Sequence, residues 1–307
     1  MTTRPNIELL RAPNLARYRW LRHGFSTRAP GEFNLDYSVA ETPASVERNR
    51  RGLLRAVSPP GGWQLVTLRQ RHTDIIRVVR GRHEGSDGWG KPTRERDGAL
   101  EFAGDAAITD QPGLLLAVQV ADCLPILLAD PVRRVVGAVH AGWRGTLAGI
   151  AAKTVGRMRQ EFGSKPEEIV AAFGPGIHRC CYEVGPEVVQ AFEARFPYWH
   201  KLVRRTEPSP SQVHWQQPLL DSAPGQTRPR PALTSPHGEK FRLDLVEANR
   251  RQLVAAGLKA RRPWVLPHCT ACRTDLFFSH RAEQGRTGRM MGVVGIVQRR
   301  DSSLRSE

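Results

Sequence analysis

The sequence predicts a globular fold that mixes strands and helices. Apolar segments of strand length follow one another at Gly113–Val120, Leu124–Ala129 and Arg134–His140, and Asp130-Pro131 supplies the turn between the last two. The pattern then changes to a helical period, because six apolar residues fall on one helix face: Leu147, Ile150, Ala151, Val155, Met158 and Phe162. With 307 residues, 40 % apolar and 25 % charged, the chain can bury a substantial core.

The alternation continues on both sides of this segment. Before it, Gln64–Leu68 and Ile75–Val79 have the pattern of two strands joined by a turn at 71–74. After it, Gly163 ends the helix, and proline in its first turn indicates where another helix begins. The later elements expected are a strand at Ile169–Phe173, helices at Pro186–Phe196 and Leu243–Leu258, and a last strand at Met290–Val297.

Residues 1–307 are predicted to form one domain that carries a disordered insertion. Residues 204–240 contain seven prolines and almost no periodicity, so this stretch cannot bury enough apolar surface to offset the entropy of ordering it. Strong patterns lie on both sides of it, which indicates a loop within the domain. The tail after Gln298 is also expected to be disordered.

Composition bounds the compartment in which the protein works. No stretch approaches the roughly 20 apolar residues that span a bilayer, and Met1–Leu10 does not have the pattern of a secretory signal. We therefore expect a cytoplasmic protein without a membrane partner. Five cysteines, an odd number, do not indicate a disulfide framework, and the Cys269-Thr-Ala-Cys272 pair alone is a weak zinc signal because a zinc ribbon needs two such pairs.

The net charge of +16 does not by itself predict a nucleic-acid partner. Only six of the 46 basic residues are lysine, a bias typical of GC-rich codon usage. The basic residues are scattered, with pairs at 261–262 and 299–300 and no interleaved aromatic residues of the kind that stack on bases. The excess charge can instead attract small anionic substrates.

Cys123 and His140 are the most informative residues, because each stands at the end of an apolar strand. Strand ends are where α/β sheets usually keep their chemistry. The two side chains are either a nucleophile with its base or two ligands of a metal. His72, in the turn between two expected strands, is a third candidate. Together the three would offer two nitrogens and one sulfur with a fourth position open, the arrangement of a catalytic zinc site.

The turn after His140 has the features of an anion site. Gly142-Trp143-Arg144-Gly145 leads directly into the next helix, whose first backbone N–H groups suit an anion. Arg144 could add a bidentate contact to a phosphate or carboxylate. The alternative interpretation is that the two glycines only permit a tight turn from strand to helix.

Motifs along nearly the whole chain resemble the multicopper polyphenol oxidoreductase (laccase-domain) family, which is also described as a purine nucleoside phosphorylase and peptidoglycan editing factor family. They occur in the family's order from residue 24 to the final strand, and the match around Cys123 and His140 is the most specific. The matching segments are Gly24–Arg28, Asn49–Arg50, Gln70–His72, Ala121–Pro125, Val139–Gly145, Gly174–Ile177, Cys181–Gly185, Cys269–Thr270, Phe277–Arg281 and Thr287–Arg289.

The resemblance implies a fold and a function. The fold is an α+β protein, a layered α/β/β/α sandwich with mixed β-sheets. The expected activities are phosphorolysis of adenosine, inosine and methylthioadenosine, which joins the sugar to phosphate and releases the base, and deamination of adenosine. His72, Cys123 and His140 correspond to the family's metal triad, with zinc as the expected cofactor and copper possible. We expect Arg28, Arg50 and Arg144 to bind phosphate or substrate, in a monomer or small homo-oligomer.

Three other functions stay open at this point. Cys123 and His140 could form a hydrolase or amidase acting on a peptidoglycan precursor, with Asp122 or Asp105 orienting the histidine. The family's older name implies copper-dependent phenol oxidation, although multicopper oxidation usually needs more histidine ligands than one such site offers. A basic nucleic-acid-binding module would show a steep dependence of binding on salt.

Overall fold

A computed structural model describes residues 7, 9–29, 31–37, 41–57, 63–80, 94–96, 98–206, 239–260 and 263–298. Two compact units divide the chain: residues 1–181 with 244–307 form the first, and residues 182–243 form the second. That the whole chain is one domain stays a prediction. Of the segments expected to be disordered, residues 207–238 and the tail from 299 lie outside the described residues, as do the arginine pairs at 261–262 and 299–300.

The strands of the described chain are numbered in chain order: β1 Leu9–Leu10, β2 Leu21–Ser26, β3 Gln64–Arg69, β4 Ile76–Val78, β5 Arg94–Arg96, β6 Ala99–Ala103, β7 Ala106–Thr109, β8 Leu114–Val120, β9 Leu124–Asp130, β10 Val135–Ala141, β11 Val170–Phe173, β12 Glu183–Val184, β13 Val203–Arg205, β14 Phe241–Leu243, β15 Trp264–Val265 and β16 Met290–Ile296. The helices are α1 Pro13–Ala16, α2 Pro43–Val57, α3 Trp143–Ala148, α4 Ile150–Phe162, α5 Pro186–Arg195, α6 Trp199–Leu202 and α7 Leu245–Ala255, with a 3₁₀ turn at Pro166–Glu168.

Two mixed sheets form the centre of the first unit. The first sheet has the order β1-β2-β16-β8-β3-β6-β5, in which β3 runs parallel to β6 and β8 while β16 is antiparallel to its neighbours. The second has the order β15-β11-β9-β10-β7-β4, with β4 parallel to β7 and β9 antiparallel to β10 and β11.

The two sheets pack face to face between helices, as expected. Strand alternation shows this in β10, where Val136 and Ala138 join the core between the sheets while Val135 and Val139 pack with α4 and α7. Helix α2 covers the outer face of the first sheet, where Leu53 and Val57 join residues of β3, β8 and β16. The α/β/β/α sandwich with mixed sheets is therefore confirmed.

Several element boundaries differ from the expectation. The strands at 64–68 and 75–79 do form, but β3 and β4 belong to different sheets, so the segment between them crosses from one sheet to the other. The helix expected through 147–162 is two helices, because Gly149 adopts a left-handed φ of 81°. The helix expected from Leu243 begins at Leu245, since Asp244 caps it by accepting the backbone N–H of Glu247.

The second unit contains a three-stranded sheet, in the order β12-β14-β13, and helices α5 and α6. Proline at the first turn of α5 matches the expected helix start. Arg204 and Arg205, the first residues of the predicted insertion, are paired with β14 in a strand, so the predicted start at Arg204 is wrong.

In the described part of the chain, no helix is long and apolar enough to cross a membrane.

Candidate metal centre

His72, Cys123 and His140 converge at one point of the first unit, although each comes from a different segment. One ligand atom from each lies within 4.8 Å of the others. The Cys123 Sγ is 3.6 Å from the His72 Nε2. The two imidazole rings lie edge to face with centroids 4.9 Å apart. The sequence-based expectation that these three belong together is consistent with this geometry.

Strand ends and turns position each of the three side chains. His72 lies in the crossover after β3, and Cys123 lies in the short connection from β8 to β9. His140 lies near the end of β10, opposite Pro125 of β9, on the strand face that Val136 and Ala138 turn toward the other sheet. His72 has φ of 59° and Asp122, beside Cys123, has φ of 87°. Non-glycine residues seldom adopt these values, and such strain is concentrated at functional sites.

Gly142 leaves room for the side chains of Cys123 and His72. A Cβ atom at this position would lie 2.9 Å from the Cys123 Sγ and 2.9 Å from the His72 Cδ2. Any larger residue would therefore displace the side chains of Cys123 and His72 from these positions. The first glycine of the turn after His140 thus serves the site directly, beyond permitting a tight turn.

Asp105 is the residue that organises the site. Its carboxylate lies 2.9 Å from His140 Nδ1 and accepts the backbone N–H groups of His72 and Thr73 and the Thr73 hydroxyl. It is fully buried, and its backbone oxygen also accepts the N–H of His140. One carboxylate therefore fixes both the turn that carries His72 and the ring of His140. The sequence singled out Asp105 only as an orienting residue of the hydrolase alternative.

Electrostatics favour a charged cysteine at this site. Desolvation opposes a charge on each group, but the Cys123 and Asp105 anions outweigh it and raise the pKa of His140 to about 9. At Cys123, desolvation by burial would raise the pKa of the thiol, but His140 and His72 outweigh it and lower that pKa to about 6. Burial also opposes ionisation of the Asp105 carboxyl, yet the hydrogen bonds from His140 and Thr73 hold its pKa well below the usual range. The thiolate is the form of cysteine that binds metals and attacks substrates.

Asp122 anchors a second loop beside Cys123. Its carboxylate accepts the Thr270 hydroxyl at 2.6 Å, the Ser279 hydroxyl at 2.8 Å and the backbone N–H of Arg281 at 2.6 Å. The Asp122 side chain is only 8 % exposed, and these hydrogen bonds compensate for the desolvation of its carboxylate. Asp122 therefore holds the segment 270–281 against the metal-ligand candidates, and no hydrogen bond of its carboxylate to His140 is found among the described contacts.

The three side chains fit a zinc ion. Zn–S bonds of about 2.3 Å and Zn–N bonds of about 2.0–2.1 Å place sulfur and nitrogen about 3.5 Å apart at tetrahedral angles. The observed Cys123–His72 separation is 3.6 Å. A zinc-binding histidine usually donates its other ring N–H to a carboxylate, as the His140 Nδ1–Asp105 contact does. The donor set and its support therefore suit zinc with one coordination position left open.

The three arginines expected to bind phosphate differ in exposure and in the contacts that their guanidinium groups already make. Arg144 is exposed, with its guanidinium stacked over the Trp143 ring at 4.3 Å, and it follows Gly142 by two residues. Arg28 is engaged by two carboxylates and by the Thr274 carbonyl.

Arg50 is 6 % exposed and its Nε donates to the Leu35 carbonyl. Burial lowers its pKa to about 10. A buried guanidinium tied to the backbone is the least free of the three to bind phosphate. The role of all three in phosphate binding stays a prediction.

Comparison with known proteins gives the family. Residues 19–297 match the model described as "Multi-copper polyphenol oxidoreductase laccase". The chain belongs to this family. The resemblance inferred from its motifs is thereby confirmed.

Relatives in the family carry enzyme names. The chain is 36 % identical over 304 residues to "Purine nucleoside phosphorylase" of Deinococcus radiodurans, covering 97 % of this chain and 96 % of that one. It is 34 % identical over 225 residues to "Adenosine deaminase RL5" from an unknown prokaryotic organism, covering 73 % and 72 %. The crystal structure of the Bacillus licheniformis hypothetical protein YfiH superposes with a TM-score of 0.73 at 30 % identity, covering 95 % and 97 %. The fold assignment thus agrees with an experimental relative.

Proposed function

We propose that this protein is a zinc-dependent purine nucleoside phosphorylase that also deaminates adenosine. The observation that carries the proposal is the convergence of His72, Cys123 and His140 within 4.8 Å, in a family with relatives named for these two reactions. Phosphorolysis would join the pentose of adenosine, inosine or methylthioadenosine to phosphate and release the base. Deamination would convert adenosine and water to inosine and ammonia.

The metal ligands have separable tasks in this proposal. Cys123 would bind zinc as a thiolate, and His72 and His140 would bind through ring nitrogens, with Asp105 keeping the Nδ1 proton of His140 so that its Nε2 faces the ion. When bound, zinc supplies a Lewis acid with an open coordination position. Gly142 would leave the room that the ligands need, and the exposed Arg144 would provide a positive charge for phosphate near the same turn.

A Cys–His hydrolase remains the second candidate because one observation favours it. A cysteine with its pKa lowered to about 6 beside a histidine with its pKa raised to about 9 is a thiolate–imidazolium pair. Such a pair can act as nucleophile and proton carrier without a metal. Attack of the Cys123 Sγ on an amide carbonyl would form a thioester and break the C–N bond, with His140 protonating the amine that leaves. Water would then hydrolyse the thioester, which releases the carboxylic acid and restores the thiol.

Copper-dependent phenol oxidation has less support. In the described residues, two groups of side chains could hold a metal, and they contain two histidines and five cysteines between them. Multicopper oxidation draws on many more imidazole ligands than this. Cytoplasmic location, the absence of a nucleic-acid partner and a monomeric or small homo-oligomeric state stay predictions of the sequence.

The proposal is tested by incubating the zinc-loaded protein with adenosine, with and without phosphate, and separating the products by chromatography. We expect adenine and ribose-1-phosphate only when phosphate is present, and inosine under both conditions. His72→Ala should lose the zinc bound between His72, Cys123 and His140 and all three products, whereas His200→Ala, a substitution at an exposed histidine, should keep them. A zinc-loaded wild-type protein that forms no product would contradict the proposal, and an active metal-free protein would favour the hydrolase.

A further inference from the structure

Four cysteines that the proposed function does not use converge in the first unit. Cys180, Cys181, Cys269 and Cys272 place their sulfur atoms within 4.8 Å of one another. The Cys272 Sγ lies 3.3 Å from that of Cys181 and 3.6 Å from that of Cys180. These distances are too long for disulfide bonds, and none of the four cysteines forms one. They come from two segments about 90 residues apart, so the fold brings them together.

The backbone around this thiol cluster is built to hold it. Gly176, after β11, forms a parallel bridge with Cys269, and its carbonyl accepts the Thr270 N–H at 3.0 Å. The His178 backbone N–H points at the Cys269 Sγ at 3.3 Å. A backbone donor aimed at sulfur stabilises negative charge on that sulfur, as a thiolate ligand requires. Backbone contacts therefore join the two segments at the thiol cluster independently of any bound ion.

We propose that Cys180, Cys181, Cys269 and Cys272 form a second zinc site, a closed tetrathiolate centre with a structural role. At Zn–S distances of about 2.3 Å, tetrahedral geometry places sulfur atoms about 3.8 Å apart, close to the separations found here. Four protein ligands leave no open position, which is what distinguishes structural zinc from catalytic zinc. Soft thiolates select zinc over hard cations such as magnesium.

The charge balance of the proposed centre is straightforward. Each thiol that binds releases its proton to solvent, and no electron is transferred. Four thiolates and one divalent ion give a net charge of about −2. Arg179 and Arg273, the chain neighbours of Cys180 and Cys272, pair with Asp244 and Asp275. The sequence showed only half of this pattern, because the partner of Cys269-x-x-Cys272 is an adjacent cysteine pair and not a second C-x-x-C.

The position of the centre explains what it would do. The chain that follows Cys269 runs through Thr270, Ser279 and Arg281, the residues that hydrogen-bond the Asp122 carboxylate next to Cys123. Zinc at the thiol cluster would fix the start of that loop to the segment after β11. It would thus support the first metal site from a distance, without contact with substrate. This inference does not rest on the proposed function.

The experiment is a factorial zinc determination on the full-length protein, purified under reducing conditions without chelator and analysed by plasma mass spectrometry. We expect about two zinc ions per chain in the wild type and about one each in His140→Ala and Cys272→Ser. The double variant should hold none. Ala271→Ser changes one of the two residues between Cys269 and Cys272 and should hold as much zinc as the wild type. Cys272 is exposed, so its replacement by serine removes no core contact, and circular dichroism verifies the fold.

A second measurement separates the two sites by their ligands. In the His140→Ala protein, cobalt should give the intense sulfur-to-cobalt charge-transfer and visible bands of a tetrahedral tetrathiolate, and Cys272→Ser should abolish them. Zinc content that is unchanged by Cys272→Ser would overturn the proposal. So would a peptide map that shows Cys272 in a disulfide with Cys180 or Cys181 in protein that lacks a second zinc.

Discussion

Replacing Asp105 by asparagine should weaken zinc binding and destabilise the fold at the same time. The substitution keeps the shape of the side chain but turns one oxygen into an NH₂ group. The carboxylate oxygen Oδ2 accepts the backbone N–H and the hydroxyl of Thr73, whereas Oδ1 accepts the His72 N–H and contacts His140 Nδ1. The Arg71 N–H lies 3.2 Å from both oxygens. If the remaining oxygen of the amide stays with His140, the Thr73 N–H and hydroxyl lose their acceptor, whereas the Arg71 N–H keeps Oδ1.

The structure sets the size of both effects. A buried donor left without an acceptor costs about 1–3 kcal/mol, so loss of the acceptor for the Thr73 N–H should lower the free energy of unfolding by about 1–3 kcal/mol. Loss of the carboxylate that supports a zinc-bound histidine typically costs about 10–100-fold in metal affinity. The two assays are denaturant unfolding of the metal-free protein and competition for zinc with a chromophoric chelator.

Asp130 provides the matched control for this prediction. It is a second fully buried aspartate, whose Oδ1 accepts the N–H groups of Val132 and Arg133 at the far end of β9. Asp130→Asn can keep these bonds through its amide oxygen and should leave zinc affinity at the wild-type value. Zinc affinity in Asp105→Asn that equals that of Asp130→Asn would refute the role assigned to Asp105.

Three further predictions follow from single contacts. Gly142→Ala should lower zinc affinity in the same chelator competition, because its methyl group would collide with Cys123 and His72. The control Gly156→Ala lies in open space on α4, so it should leave zinc affinity unchanged and raise the free energy of unfolding by about 0.5–1 kcal/mol. Equal zinc affinities in both variants would contradict the steric argument. Buried His23 accepts the Ala12 N–H, and desolvation lowers the pKa of its imidazole to about 4. Its contribution to the free energy of unfolding is therefore full above the unfolded pKa of about 6.5 and falls by about 3 kcal/mol as the pH drops to 4. In a His23→Gln variant the free energy of unfolding should depend less on pH in this range, and an unchanged pH dependence would refute the assignment. Arg144→Ala should raise the KM for phosphate about tenfold with little change in kcat, measured by initial rates, and an unchanged KM would remove this arginine from the phosphate site.

The central strands could be predicted from sequence because they are buried on both faces. Residues 114–120, 124–130 and 135–141 are almost uniformly apolar, and the structure buries nearly all of them. Helix α2 could not be predicted in this way. Its buried face includes Gly52, which lies against Ile7 and Phe33, and Arg50, whose guanidinium stacks over Tyr37 at 4.4 Å. Its three buried apolar residues, Val46, Leu53 and Val57, stand among four arginines, so the segment is polar on average and does not stand out as an apolar run.

The candidate site was predictable in part for a similar reason. Cys123 and His140 stand at the ends of recognisable strands, so their proximity follows from the pattern. The role of Asp105 depends on the antiparallel pairing that places Ala106 opposite Val139, and on the crossover that carries the chain from one sheet to the other. Neither the pairing register nor the crossover is encoded in local periodicity. Gly142 gave a local signal, but its proximity to two other segments exists only in the folded chain.

The most direct test of the central claim is a diffraction experiment on crystals of the active protein at the zinc absorption edge. We predict an anomalous peak about 2.0–2.3 Å from the Cys123 sulfur and from one ring nitrogen each of His72 and His140, on the side away from Asp105. Crystals of active protein with no peak between these three side chains would contradict the account.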